Sequence, residues 1–232
     1  MIAQLPLALR WPRRQRFDQF FPGATNAAAL AIVEGAAANA HGGCVYVAGP
    51  AGSGKTHLLI AACQAATDAG VSAQYLSLRH VRGSRSDAIA GVGGSHLLAL
   101  DDIDLVAGDA EAELALFATY NRYLDAGGVL LLAAQALPAA MPVQLPDLRS
   151  RLGACTQARL TPLDDGERRH VLQAQARHRG IVFDAAVLDW MFARYPRDLG
   201  ALLDLLDRVD RASLAAQRRV TIPFLRSLLR EG

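Results

Sequence analysis

Short apolar runs alternate with stretches of helical periodicity over the first two thirds of the chain. Apolar runs bounded by turn residues predict buried strands, and helical stretches between them are typical of a parallel sheet with helices on both faces. The five predicted strands cover residues 44–48, 73–78, 96–100, 129–134 and 158–160. We therefore predict an α/β core.

The periodicity becomes purely helical after residue 162. Asp164 and Asp184 are acidic N-cap candidates for helices at 164–178 and 184–195. Apolar residues then recur at intervals of three and four positions, which predicts the buried face of a long helix. The members of this face are Leu199, Leu202, Leu203, Leu206 and Val209. Together with a last short helix, they predict a helical bundle at the C-terminal end.

These patterns divide the chain into an N-terminal arm (1–22), an α/β core (23–161) and a helical part (162–232). The chain has 232 residues, of which 52% are hydrophobic, and this is enough for one core domain and a small second one. The composition excludes a disordered chain.

Charge and hydropathy indicate where the protein is expected to be located and which classes of partner it lacks. The longest apolar runs, such as 128–138, are shorter than the roughly 18 residues of a membrane-spanning helix, and the N-terminal apolar stretch precedes its arginines, unlike a secretory leader. We therefore expect a cytoplasmic protein without a membrane partner. A net charge of +2 is too small for a nucleic-acid coat. Cys44, Cys63 and Cys155 form no CxxC pair, and we expect them to be ordinary buried thiols.

One motif follows the first predicted strand and matches G-x-x-x-x-G-K-[ST], a P-loop. Its residues are Gly49, Pro50, Ala51, Gly52, Ser53, Gly54, Lys55 and Thr56. In such a loop the glycines turn backbone N–H groups towards phosphate oxygens, the lysine reaches the β and γ phosphates, and the threonine hydroxyl binds Mg²⁺. Lys55 is also the only lysine of the chain. The motif predicts binding of ADP or ATP with Mg²⁺.

Two carboxylates end the third predicted strand, in the manner of a Walker B element. Asp101 is the candidate to hold Mg²⁺ through water, and Asp102 the candidate to orient or deprotonate an attacking water. Without the P-loop upstream, two aspartates after a strand would more often be a helix N-cap.

The P-loop, the strand ending in Asp101-Asp102-Ile103 and the helical C-terminal part together resemble the AAA+ domain of the replication initiator DnaA. The resemblance implies an AAA+ parallel-sheet core followed by a small all-α lid. Arg151, within 148–152, lies in a segment similar to the motif that carries the arginine finger, which acts in trans on a neighbouring subunit's nucleotide. Read alone, it is an ordinary surface arginine.

Two further positions follow from the same resemblance. Arg197, within 195–199, is similar to the sensor II residue that touches the nucleotide from the lid. Gln135 stands at the sensor I position, where Asn, Asp, Ser or Thr is common. Two interpretations follow: either the longer side chain of Gln135 still positions the attacking water, or intrinsic ATP hydrolysis is weak although the Walker A and B elements are intact.

The region that resembles DnaA extends from Phe17 to Leu229. It does not include a counterpart of the helix-turn-helix DNA-binding domain of DnaA, so we do not expect an origin-recognising initiator. The arm instead carries a motif similar to those that bind the sliding clamp, with Gln4, Leu5, Leu7 and Leu9 as its contact residues. Alternating apolar residues near a terminus also fit an edge strand or a packed arm.

Among DnaA-related AAA+ proteins, this combination is similar to the Hda family. The resemblance implies a negative regulator of DNA replication initiation that binds the DNA polymerase III sliding clamp (β subunit) and promotes ATP hydrolysis by DnaA. DNA would be reached indirectly through the clamp. The partner across the arginine finger is DnaA, a second copy of this chain, or each in turn, so a homodimer is left open.

Two other classes share the same core. A DnaC-like helicase loader ATPase also has an AAA+ core without a helix-turn-helix domain, but its N-terminal segment must hold a helicase, and this arm is short. A P-loop ATPase or kinase acting on a small molecule would close the helical part over its substrate, and no signature of a separate substrate pocket is visible.

Overall fold

In the computed structural model, the described residues are 11–12, 15–39, 42–194, 199–216 and 220–230. Two compact units make up the chain, Met1–Pro162 and Leu163–Gly232.

A five-stranded parallel sheet forms the centre of the first unit, in the order β2-β3-β4-β1-β5. Its strands are β1 Gly43–Ala48, β2 Ala73–Ser77, β3 Leu97–Asp101, β4 Val129–Ala134 and β5 Thr156–Arg159. Every residue of β3 and β4 is buried, as expected for parallel strands covered on both faces. The predicted parallel α/β core is confirmed.

Helices cover both faces of this sheet. Those on one face are α1 Ala27–Ala37 and α2 Lys55–Asp68, and those on the other are α3 Arg85–Gly91, α4 Ala110–Asp125 and α5 Pro146–Ala154. Successive side chains of a strand point to opposite faces, so Val45 and Val47 join the core beneath α1 and α2, while Tyr46 and Ala48 join the core beneath α3, α4 and α5.

The carboxyl ends of all five strands meet at one edge, because the strands are parallel. Ligands of open α/β sheets bind outside this edge. Gly49 follows β1, Asp101 ends β3, Gln135 follows β4 and Ser77 ends β2. The topology therefore brings the P-loop and the Walker B carboxylates together.

Four helices form the second unit in the described part of the chain: α6 Asp165–His178, α7 Ala185–Arg194, α8 Leu199–Ala216 and α9 Ile222–Arg230. Asp164 and Glu167 close a capping box at the start of α6, each side chain accepting from the other's backbone N–H at 2.8 and 2.9 Å. The predicted helical part is confirmed. On α8, however, Leu205 is buried and Leu203 only partly so.

The described residues of the arm pack along α2. Gln64 Nε2 donates to the Pro12 carbonyl at 2.7 Å, and Arg16 forms an ion pair with Asp68 at 2.8 Å. His57 contributes a third contact, since its Nε2 lies 2.8 Å from the Arg16 carbonyl, which can only accept.

The expectation of three ordinary buried thiols is wrong for two of them. Cys44 and Cys155 form a disulfide, because β1 pairs with β5 and the Cα atoms of the two residues come within 5.0 Å. Cys63 is a free buried thiol, and burial raises its pKa to about 12.

None of the helices in the described ranges combines the length and the hydropathy needed to cross a membrane.

Candidate functional site

The P-loop turns tightly between β1 and α2. Gly49 N–H donates to the Ala134 carbonyl at 3.2 Å, which joins the loop to the end of β4. Gly52 and Gly54 have φ values of +74° and +99°, a region that favours glycine. At Gly49 a Cβ atom would come within 2.7 Å of the Leu160 carbonyl oxygen, so a side chain does not fit there.

Lys55, the first residue of α2, is turned into this loop. Only 8% of it is exposed, and its Nζ donates to the carbonyls of Gly49 at 2.6 Å and Pro50 at 3.0 Å. Burial lowers the pKa of Lys55, while the carboxylates Asp101 and Asp102 act in the opposite direction. A buried ammonium group facing carbonyl oxygens gains free energy from an anion placed within its reach.

Asp101 and Thr56 are brought together from positions 45 residues apart. Thr56 Oγ1 donates to Asp101 Oδ2 at 2.6 Å, and Tyr75 on β2 donates to the same oxygen at 3.0 Å. Burial raises the pKa of Tyr75, and the Asp101 charge adds to this. The remaining oxygen of Asp101 accepts from the Asp102 backbone N–H at 2.9 Å. Hydroxyl and carboxylate oxygens are the ligands that Mg²⁺ prefers.

Asp102, the next residue, has a different set of side-chain partners. It has a φ of +59°, the one positive value outside glycine in the described residues. Arg79 donates to its Oδ1 from Nε at 3.2 Å and from Nη2 at 2.8 Å. Ser77 Oγ lies 3.3 Å from Oδ2 and donates to it. The carboxylate of Asp102 raises the pKa of Arg79 through these contacts. The side chain at the predicted water-orienting position is therefore engaged by β2 and the residues that follow it.

The sensor I candidate lies at the same edge of the sheet. Gln135 follows β4 with an exposed side chain, and its backbone N–H donates to Asp104 Oδ1 at 3.2 Å. Asp104 comes from the turn after Asp102, so this contact ties the end of β4 to the end of β3.

Arg151 belongs to a different surface, that of α5. It is exposed in the last turn of this helix, and its Cζ lies 5.9 Å from the centre of the Tyr120 ring on α4. Arg149, two residues earlier, instead donates to the Val143 carbonyl. Arg149 therefore has a main-chain partner, whereas the guanidinium of Arg151 lies beside an aromatic ring of α4.

Five of the predicted site residues lie outside the described residues. They are the sensor II candidate Arg197 and the clamp-binding candidates Gln4, Leu5, Leu7 and Leu9.

Three residues of the site were not predicted from the sequence. Tyr75, Ser77 and Arg79 come from β2 and the turn after it, and they contact the Walker B carboxylates. Polar residues next to the end of a predicted parallel strand were the available signal, because such an end faces the nucleotide edge.

Two family models match the chain. The model described as the bacterial DnaA ATPase domain matches residues 12–158, more than half of the chain, and the model described as the Hda lid domain matches residues 165–229.

Solved structures support the same fold. Domain III of the Thermotoga maritima DnaA is 18% identical with a TM-score of 0.76, covering 95% of this chain and 98% of that one. The AMPPCP-bound DnaA from Aquifex aeolicus is 20% identical with a TM-score of 0.68, covering 86% of this chain. The present chain spans 66% of that DnaA, just under two thirds. The RuvB branch-migration motor of Thermotoga maritima, 18% identical with a TM-score of 0.63, covers 94% of this chain and is itself covered to 72%.

The core and the lid thus match the two domains in the expected order, and the fold is the nucleotide-binding AAA+ fold. The chain belongs to the Hda family of DnaA-related AAA+ proteins involved in the control of replication initiation.

Proposed function

We propose that this protein is a negative regulator of DNA replication initiation that binds an adenine nucleotide and the sliding clamp and promotes ATP hydrolysis by DnaA. The observation that carries the proposal is the match of the helical unit to the Hda lid behind a DnaA-type ATPase domain. The protein would work in the cytoplasm, with DNA reached through the clamp.

ADP or ATP with Mg²⁺ is the proposed ligand of the P-loop. Backbone N–H groups of 51–56 would face the phosphates, and Lys55 would exchange the carbonyls of its loop for the β and γ phosphate oxygens. Thr56 and Asp101 fit a magnesium ion chemically, since their oxygens already lie 2.6 Å apart. In the bound state the ion would neutralise phosphate charge. Arg197 would add a contact from the lid.

Arg151 is the proposed catalytic group toward the ATP held by DnaA. A guanidinium at the γ-phosphate stabilises the charge that spreads over the transferring group, and supplying it in trans raises hydrolysis by about 10³–10⁵-fold in other nucleotide hydrolases. The exposed position of Arg151 on α5 suits a group that enters another protein's site.

Hydrolysis by this protein itself is proposed to be weak. The carboxylate of Asp102 is engaged by Arg79 and Ser77, and Gln135 replaces the usual shorter sensor I side chain. A general base has to come within hydrogen-bond reach of the attacking water. Nucleotide binding would then act as a gate on the DnaA-directed role.

Clamp binding by Gln4, Leu5, Leu7 and Leu9 is the first part of the proposal to measure. We expect the purified protein to bind the sliding clamp, and the double substitution Gln4→Ala and Leu5→Ala to abolish binding with and without ADP. The same titration by light scattering would detect a homodimer. No clamp binding in any nucleotide state would favour a DnaC-like loader over the proposed regulator.

The arginine finger has its own test. DnaA ATP hydrolysis is measured on clamp-loaded DNA with wild type, Arg151→Ala and Arg151→Lys. We expect both variants to lose the stimulation by about 10²-fold or more, because lysine lacks the planar fork of guanidinium. Arg226→Ala, at an exposed arginine of α9, is the matched control and should behave as wild type. Full stimulation by Arg151→Ala would overturn this role.

A further inference from the structure

A buried carboxylate on α4 accepts hydrogen bonds from the turn just before its own helix and from a segment 31 to 32 positions further along the chain. Glu113 is only 1% exposed. Its Oε1 accepts from the Gly108 N–H at 2.8 Å, both of its oxygens lie 3.0 Å from the Gln144 nitrogen, and Oε2 accepts from the Leu145 N–H at 2.7 Å. A buried charge is costly unless donors surround it. The three hydrogen bonds from backbone N–H groups therefore fix the position of the Glu113 carboxylate relative to the two segments that donate to it.

The charge state of Glu113 fits this arrangement. Burial raises its pKa, but the hydrogen bonds from Gln144, Gly108 and Leu145, together with the nearby Arg149 charge, outweigh burial and hold the pKa below its usual value. The side chain is therefore ionised at neutral pH, and an ionised carboxylate is acceptor-only.

Two of these donors lie at the start of α5. The helix begins at Pro146, and its N-cap residue Leu145 makes no side-chain cap. Glu113 supplies an acceptor from another helix instead, and its negative charge lies at the N-terminal end of α5, where the helix dipole favours it. The start of α5 thus depends on α4.

The other end of α5 meets the same face of α4. Tyr120 follows Glu113 by seven positions, which places both residues on one face of the helix. Arg151, in the last turn of α5, has its guanidinium 5.9 Å from the centre of the Tyr120 ring. One face of α4 therefore contacts α5 at both of its ends.

We propose that Glu113 is a positioning residue for Arg151: by fixing the start of α5 on α4, it sets the direction in which the guanidinium projects. The inference rests on the proposed function, in which Arg151 acts on ATP held by DnaA. Glu113 itself is buried and would act only through α5. A misplacement of about 1 Å at a distant catalytic group can cost 10²-fold in rate, so a displaced α5 is enough.

The test is the variant Glu113→Gln in the full chain. Glutamine keeps the shape and one acceptor oxygen, but it places an NH₂ group against a backbone N–H. We expect the maximal rate of stimulated DnaA hydrolysis to fall at least about tenfold. The protein concentration for half-maximal stimulation, and the affinities for nucleotide and clamp, should stay within about twofold, since a finger acts in the transition state. Glu111→Gln, exposed on the same helix, is the matched control.

Arg151→Ala separates this inference from the proposed function. If Glu113 acts through Arg151, adding Glu113→Gln to Arg151→Ala should lower the stimulated rate no further. A full additional loss, or a normal rate in Glu113→Gln when Arg151→Ala is inactive, would overturn the positioning role alone. Full stimulation by Arg151→Ala would instead overturn the catalytic role of Arg151 within the proposed function.

Leu145→Pro tests the same contact if Glu113→Gln fails to unfold cooperatively or to bind nucleotide. The φ of Leu145 is −72°, which proline adopts without strain, and the substitution removes the N–H that donates to Glu113. We expect the same loss of maximal rate with nucleotide binding intact. A normal rate in Leu145→Pro would contradict the inference.

Discussion

Adjacent carboxylates at the end of β3 have different environments. Asp101 is 2% exposed and accepts from Thr56 and Tyr75, whereas Asp102 turns through a positive φ towards Arg79. In the proposed function, Asp101 would therefore serve as an oxygen ligand beside the P-loop, and Asp102 would be a base restrained by an ion pair.

Releasing Asp102 should raise the intrinsic ATPase rate. Arg79 is 55% exposed, and exposed ion pairs contribute up to about 1 kcal/mol, which corresponds to at most about a fivefold change in rate. We therefore expect Arg79→Ala to increase single-turnover ATP hydrolysis by about two- to fivefold. Arg82→Ala, at an exposed arginine of the same loop, is the control. A fall in rate with Arg79→Ala would mean that Arg79 assists hydrolysis directly.

Gly54→Ala should weaken the P-loop. The φ of +99° disfavours any side chain, and the new Cβ would lie 2.7 Å from Phe20 Cε2. A left-handed conformation costs a non-glycine residue about 1–2 kcal/mol, and the overlap adds to this. We expect the free energy of unfolding to fall by about 2 kcal/mol and nucleotide affinity to drop about tenfold.

Gly91→Ala provides the comparison for the Gly54 variant. A Cβ at Gly91 would meet no described atom within 4 Å, and its φ is not positive. Its free energy of unfolding should change by less than about 0.5 kcal/mol, measured by urea titration. Equal losses in the two variants would contradict the conformational explanation.

At the scale of elements, the strands were predictable and the contacts between distant elements were not. β3 and β4 are buried on both faces, so their sequences are continuous apolar runs that stand out from the helices. The P-loop was predictable because one local segment carries its whole chemistry.

Long-range side-chain contacts depend on the assembled topology. Glu113, in the first turn of an amphipathic helix, has the sequence signature of a solvated charge, and only the fold places residues 144–145 against it. Cys44 and Cys155 are 111 positions apart and meet only through the pairing of β1 with β5. Periodicity reports the burial of a face but does not identify its partner.

The contact between the arm and α2 predicts a pH dependence of stability. Burial lowers the pKa of His57, although the Arg16 carbonyl and Asp18 oppose this. The unfolded chain, with a His pKa of about 6.5, therefore binds more protons than the folded one at mildly acid pH. The contribution of the neutral His57 contact to the free energy of unfolding is fully present above the pKa of the unfolded chain. It is lost as the pH falls through the lower pKa of the folded protein.

His57→Gln should remove this dependence, because glutamine keeps a donor for the Arg16 carbonyl and does not titrate. We expect the free energy of unfolding from urea titrations to decline less between about pH 7 and pH 5 in the variant than in wild type. His178→Gln, at an exposed lid histidine, should decline like wild type. Identical slopes in all three proteins would exclude a role for His57 in the acid sensitivity.

At the scale of the whole molecule, the chain has separate hydrophobic cores in its two compact units. The cores of the first unit surround the sheet, and the core of the second lies among α6, α7, α8 and α9. A net charge of +2 gives the protein little attraction for DNA phosphates. Compact units with separate cores can differ in local stability.

Leu206→Ala tests whether the helical unit opens by itself. Leu206, on α8, is fully buried in the core of the helical unit, and truncating a buried leucine lowers the free energy of unfolding by about 2–5 kcal/mol. We expect amide hydrogen exchange to accelerate strongly in α6–α9, with little change in β1, β3 and β4. Asp204→Ala, exposed on the same helix, controls for the loss of side-chain atoms at the surface. Equal acceleration in the sheet would show that both units unfold in one cooperative step.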